Sequence, residues 1–204
     1  MNKRNYSKEL DKLIESFKPD EAKPKLLLHV CCAPCSSYCL EYLEPHFDIT
    51  VFFYNPNMDS EAEYIKRAEE LRRFVKESGV KAQIIIKDYD SKPFYEMARG
   101  LEKVPEGGER CFSCYELRMR EAAAYAAENG FDYFTTTLSI SPLKNSTKIN
   151  DIGEMLSGIY GVKHLPSDFK KKEGYKRSIE LSREYNLYRQ NYCGCVYSKR
   201  EETV

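Results

Sequence analysis

The 204-residue chain has no excess of charge of either sign: 32 Lys and Arg stand against 32 Asp and Glu. That balance excludes disorder driven by self-repulsion, and it excludes a surface that is basic all over. No apolar run approaches the roughly 18 residues that a membrane span needs. The best one, Leu26 to Ala33, is interrupted by His29. Internal repeats and low-complexity linkers are absent as well. The amino terminus, MNKRNYSKELDKLIESF, lacks the apolar stretch and cleavage site of a secretory signal. A cytoplasmic chain without a membrane partner is expected. Cysteine is also too sparse for a disulfide scaffold, with eight in 204 residues.

The cysteine that is present is not scattered. Seven of the eight fall in three short motifs, Cys31-Cys32-Ala33-Pro34-Cys35, Cys111-Phe112-Ser113-Cys114 and Cys193-Gly194-Cys195. Core packing gives no reason for such spacings, and in a reducing compartment they point to metal or redox chemistry. Cys39 stands apart and reads as a small core hydrophobe.

Between the motifs, strand and helix patterns alternate. Ser7 to Phe17 is amphipathic at helical spacing, and Pro19 and Pro24 fence an entry loop. Lys25 to Val30 and Ile49 to Tyr54 read as strands buried on both faces, Ala82 to Ile86 as a third, and Phe131 to Leu138 as a fourth. Helices are expected over Ser36 to Leu43, Glu61 to Glu77, Pro93 to Leu101, Cys111 to Glu128, Thr147 to Gly158 and Tyr175 to Tyr188. This alternation predicts an α/β fold, a parallel sheet covered on both faces. One domain is expected: an N-terminal helix and entry loop over 1–23, a core over 24–162 and a C-terminal extension over 163–204. In such sheets ligands sit beyond the carboxyl ends of the strands. Cys31 to Cys35 follow the first strand and Thr135, Thr136 and Thr137 end the fourth, so chemistry and crevice coincide.

Cys111 and Cys114 begin a helix, which puts their sulfurs one turn apart on one face; the positive helix end favours thiolate there. Such a pair suits metal ligation, a thioredoxin-type dithiol or half a zinc ribbon. Cys31, Cys32 and Cys35 offer three thiols in five residues, stiffened by Pro34. In extended backbone Cys31 and Cys32 point apart and would meet different metal atoms. Two of these thiols with the later pair make four, enough for a cubane cluster or a structural zinc. Zinc saturates at four, and the spare thiols favour redox chemistry. Cys193 and Cys195, one residue apart, would close a strained and reducible disulfide that Gly194 permits; ligation of a second metal or of a C-terminal zinc is the competing use.

Charge divides the chain. Lys163 to Arg200 carry ten basic and four acidic residues, with Tyr175, Tyr185, Tyr188, Tyr192 and Tyr197 interleaved. Cations for phosphates and rings for unpaired bases suit single-stranded RNA loops. The same pattern also describes a solvated, salt-bridged helix with tyrosines packed beneath.

The strings HVCCAPCS, ERCFSCYELRMR, FTTTLSISPLKN and DFKKKEGYKRSIELSREYNLYRQNYCGCVYS resemble the QueH family of epoxyqueuosine reductases, from about Lys25 to Ser198. The resemblance implies reduction of epoxyqueuosine to queuosine at the wobble position of tRNA. It implies a fold related to the PP-loop ATPases and adenine-nucleotide α-hydrolases, with cysteines in place of the phosphate loop. It further implies a [4Fe–4S] cluster on Cys31, Cys32, Cys111 and Cys114, an additional iron with Cys35 as a ligand, and a redox pair at Cys193 and Cys195. On this reading Asp168 is a candidate proton donor and an external electron donor is required. Thr135, Thr136, Thr137, Lys144, Arg110 and Arg118 would line the pocket or hold phosphate, with Lys171, Arg177, Tyr188 and Arg189 on the RNA face. Two rivals are an ATP-dependent tRNA-modifying enzyme of the PP-loop kind, for which no SGGxDS-like loop follows the first strand, and a zinc-stabilised RNA-binding module.

Overall fold

The computed structural model describes residues 4–18 and 20–199. Pro19 of the entry loop and Arg200 of the basic segment lie outside the described residues. The chain runs α1 (Tyr6–Glu15), β1 (Lys25–His29), α2 (Ala33–Leu43), β2 (Asp48–Phe53), α3 (Glu61–Ser78) and β3 (Ala82–Ile86). It continues through α4 (Lys92–Ala98), α5 (Glu109–Glu128), β4 (Tyr133–Thr136), α6 (Ser146–Tyr160), β5 (Lys163–His164) and α7 (Gly174–Glu184). All five strands are parallel, in the order β3-β2-β1-β4-β5.

Strand alternation explains the three layers. Leu26 and Leu28 of β1 pack with α1, α2 and α3 through Leu10, Leu40 and Leu71. Leu27, between them, turns to the opposite face and packs with α5 and α6 through Met119, Ala122 and Ile149. Leu26, Leu27 and Leu28 are all fully buried, each worth roughly 1.5–3 kcal/mol of transfer free energy. No helix among the described residues is long and apolar enough to cross a membrane.

The sheet order fixes the site. From β1 the chain steps outward to β2 and β3 on one side, and β4 and β5 lie on the other. The carboxyl ends of β1 and β4 therefore flank a topological switch point, the usual place for a ligand crevice. Cys31 follows β1 and Thr137 follows β4 directly.

Several expectations are corrected. Helix α2 starts at Ala33, because Pro34 supplies a pre-set φ in the first turn; Cys35 is thus helical, not a loop residue. Strand β4 ends at Thr136, and Thr137 opens a 3-10 turn over Thr137–Ile140. The fifth strand, β5, falls beyond the 24–162 span expected for the core. Helix α7 stops at Glu184, before Asn186 takes a positive φ of 46°. Its start lies close against α2: a Cβ at Gly174 would stand 2.4 Å from the Tyr38 ring.

Candidate active site

Cys32 is the N-cap of α2, where the chain leaves β1 and turns. Strand alternation ends at that turn, so the sulfurs of Cys31 and Cys32 lie together, 3.8 Å apart, and do not diverge as extended backbone would have them. With Cys35 they form a trio whose sulfurs are all within 4.8 Å of one another. Thr137 Oγ1 approaches Cys31 Sγ at 3.9 Å from the end of β4. Hydrogen bonds from the Cys32 and Cys35 thiols hold Cys31 well below the ordinary thiol range, against burial and with help from Arg118 and Lys144. The same bonds push Cys35 up. Of the three, Cys31 is the thiol whose surroundings favour thiolate. Cys39 is buried in the core beneath, as expected.

The remaining four thiols form a second group. Cys111 and Cys114 on α5 and Cys193 and Cys195 of the C-terminal segment line one narrow cavity of about 20 Å³, beside Phe94. Burial pushes Cys111 up, Cys114 to about 12 and Cys195 to about 11. Thiolate stabilisation by the helix end, expected for the α5 pair, is therefore overruled. Cys111 is the third helical residue and Cys114 the sixth, and the end effect fades within a turn. All eight cysteines are free thiols.

The C-terminal segment is tied across α3 as a strap. Arg73 donates to the carbonyls of Tyr185 and Asn186, and Tyr188 N donates to Glu70 Oε1 at 2.7 Å. Asp59 N donates to Gly194 O at 2.9 Å, and Arg67 Nη1 to Cys193 O at 3.4 Å. Gly194 sits at φ +97°, where a Cβ would meet Arg67 Nη1 at 3.2 Å. Glycine is the residue that fits between the two strap cysteines.

A larger cavity of about 180 Å³ opens over the trio, walled by Arg67, Lys144, Tyr175, Arg189, Tyr192 and Cys193. Cys193 and Lys144 line both cavities, so the two adjoin. Burial works against the Lys144 ammonium, yet the nearby Cys193, Cys31 and Cys35 sulfurs hold its pKa above the usual value. Arg67 is 2% exposed, paired with Glu63 at 2.6 Å, and its Nη2 has no partner. Arg118 is 1% exposed; its Nη2 donates to Asn55 Oδ1, and its Nε is unpartnered. Cys31, Cys32 and Cys35 could together hold a metal ion, and the buried, incompletely paired cations beside them suit an anionic, thiolate-held group.

A family model described as epoxyqueuosine reductase QueH matches residues 26–201. An epoxyqueuosine reductase QueH of Staphylococcus epidermidis is 44% identical over 208 residues, spanning 99% of this chain and 87% of the relative. One from Streptococcus pyogenes is 45% identical over 99% of this chain and 81% of its own length. A more distant one, from Thermotoga maritima, is 34% identical over 86% of this chain and 91% of the relative. The chain belongs to the QueH family. It is an oxidoreductase.

Within this QueH chain the structure sorts the expected site residues. Lys144 and Arg189 line the larger cavity, and Arg118 lies behind the thiols. Of the threonines, Thr137 alone approaches a site sulfur. Thr135 Oγ1 donates to Leu165 O at 2.9 Å, and Thr136 Oγ1 lies 2.8 Å from His29 Nδ1. His29 Nε2 lies 3.0 Å from Tyr54 O, and burial followed by the Arg118 charge lowers its pKa to about 3, a neutral structural histidine. Asp168 does not reach the thiols: it pairs with Lys170 and lines a separate small cavity with Tyr38, Tyr42 and Lys171. Arg110 is not open to phosphate either. Its Nη1 clamps the carbonyls of Leu101, Glu102 and Val104, and its guanidinium lies 4.7 Å from the Tyr197 ring centre. Arg177 pairs with Glu41, and Tyr188 is held by Glu63 and by Lys66 over its ring.

Sequence reading missed Arg67 and Asn55, whereas Tyr192, named among the interleaved tyrosines, does line the larger cavity. For Arg67 a signal exists: it falls on the apolar stripe of α3, with Tyr64, Ala68 and Leu71. A cation in such a stripe needs a buried partner.

Proposed function

We propose that this chain reduces epoxyqueuosine to queuosine at the wobble position of tRNA in the cytoplasm, with the nucleoside seated in the cavity over Cys31, Cys32 and Cys35. The observation that carries the reading is that cavity: thiols on its floor, cations and tyrosines on its walls, at the switch point of a QueH-family sheet. Removing the oxirane oxygen consumes two electrons and two protons, leaves an alkene and releases water. Cys31, Cys32, Cys111 and Cys114 would hold a [4Fe–4S] cluster, and Cys35 would be a ligand of an additional mononuclear iron. When bound, the cluster supplies electrons singly and an open-sited iron acts as a Lewis acid toward oxygen.

The chain's own groups do the rest. Tyr175 and Tyr192 line the cavity, where a tyrosine ring would stack on an unpaired base and Arg189 would meet phosphate. Lys144 Nζ holds a proton inside the cavity, in the role expected of Asp168, which lines a separate cavity. Cys193 and Cys195 form the redox pair. Cys193 reaches both cavities, a position from which the pair takes two electrons from an external donor and relays them.

The test uses anaerobically purified protein, assayed for iron and acid-labile sulfide and given epoxyqueuosine-containing tRNA with dithionite. About four sulfides with four or five irons, and a nucleoside product lacking one oxygen, are the expected results. One zinc, no sulfide and no conversion would leave the zinc-stabilised RNA-binding reading.

A further inference from the structure

Three arginines are buried near the thiols, and their charges are met in different ways. Arg67 has the carboxylate of Glu63. Arg110 has three backbone carbonyls and the face of Tyr197. Arg118 has one amide oxygen, that of Asn55, and among the described residues no carboxylate pairs with it. Its Nε makes no hydrogen bond.

A guanidinium keeps its charge in any protein setting, so burial without an anion is strongly unfavourable. The polar partner that Arg118 does have is itself fixed. Asn55 is fully buried, and its Nδ2 donates to Val30 O at 2.9 Å, the carbonyl just before Cys31. Arg118 is thus pinned one helical turn beyond Cys114, on the same face of α5. The other groups facing it are sulfurs, those of Cys114 (to which it also hydrogen-bonds), Cys31 and Cys193, drawn from both thiol groups. The fold has built a fixed cation and left its counter-charge to the cysteines.

We infer that Arg118 is the standing counter-ion of the group held by both sets of thiols, a positioning residue that retains this group and sets its reduction potential. The inference rests on the metal reading above. It names a role for a residue that touches neither substrate nor reacting atoms. Since the added electron makes the group more negative, a nearby fixed cation favours the reduced form. Removing that cation lowers the potential.

Arg118→Met keeps the length of the side chain and removes its charge. In the intact, metal-loaded protein it should make the one-electron reduction at least tenfold less favourable, a shift of about 59 mV to lower potential. It should also speed loss of iron to a chelator several-fold. Arg118→Lys, which keeps the charge, should recover most of the potential, and it serves if the Met variant fails to fold. Thermal unfolding of the chelated, metal-free chain gives an independent readout. There Arg118→Met should be no less stable than the parent, because an uncompensated buried charge has gone. Unchanged potential and iron retention in Arg118→Met, or a lowered potential in Arg118→Lys matching that of the Met variant, would overturn the counter-ion role. A parent without iron would overturn the metal reading and this inference together, whereas iron with an unmoved potential overturns this inference alone.

Discussion

The two thiol groups share a wall and differ in almost everything else. The trio stands where a buried strand becomes a helix, under an open cavity, and its hydrogen bonds concentrate thiolate on Cys31. The second group occupies a narrow cavity beside Phe94, and burial drives Cys111, Cys114 and Cys195 toward the neutral thiol. Both are at or near helix starts, so the helix end alone does not separate them. Mutual hydrogen bonding, and cations placed to face it, lower the pKa of Cys31 in the trio. The groups also differ in what carries them. Cys31, Cys32 and Cys35 are fixed to the end of the central strand, while Cys193 and Cys195 ride on a strap held to α3 by individual polar bonds.

The largest expected effect tests whether the two groups serve one metal group. Cys31→Ala and Cys114→Ala should each lose most of the iron and cut turnover by more than the ~100-fold typical of a lost outer-shell partner. Cys193→Ala should keep the iron and its absorbance while losing turnover. Iron lost from Cys31→Ala but retained in Cys114→Ala would make the groups separate sites. Iron lost from Cys193→Ala would remove the division between ligands and redox pair.

Much of this arrangement was legible before the fold, for local reasons. KLLLH and DITVFF each hold a short run of buried apolar residues, as expected of a parallel strand covered on both faces, and both are interior strands. Cysteines directly after the first strand lie at the crevice because the sheet rule places it there. What was not legible depends on tertiary pairing. Asp168 and Arg110 look available in the sequence, and each is committed elsewhere, to Lys170 and to the carbonyls of Leu101, Glu102 and Val104. Strand β5 is two residues long, too short for any alternation. The closeness of Cys31 and Cys32 depends on where α2 begins, and Pro34 moves that point by three residues relative to the expected Ser36.

A middle-sized effect tests the strap. Gly194→Ala forces a side chain into a left-handed conformation, at about 1–3 kcal/mol, and presses it against Arg67 Nη1. Thermal unfolding should fall by a few degrees, at roughly 2–4 °C per kcal/mol for a chain of this size. The sharper readout is local: alkylation of Cys193 and Cys195 should accelerate while that of Cys31 stays as in the parent. Equal acceleration at Cys31 would mean that strap and sheet end loosen together, and the mechanical contrast between the two groups would be lost.

The smallest effect isolates one bond of that strap. Tyr192 donates its hydroxyl to Asp59 Oδ1 at 3.1 Å, and its ring centre lies 5.4 Å from the Arg67 guanidinium. Tyr192→Phe removes the hydrogen bond and keeps the ring, so about 0.5–1.5 kcal/mol should go. The lower end is expected, since Asp59 keeps its ion pair with Lys199. Because Asp59 N also donates to Gly194 O, the loosening should be read at that amide. Its hydrogen exchange should quicken by up to about tenfold, since 1.4 kcal/mol corresponds to a factor of ten in an opening equilibrium. The Val30 amide, bonded to Phe52 O at the end of β1, should not change. Tyr192→Leu, which loses ring and hydroxyl, should quicken the Asp59 amide further. If the two variants match, the hydroxyl is the grip and the ring over Arg67 contributes nothing to holding Cys193 in place.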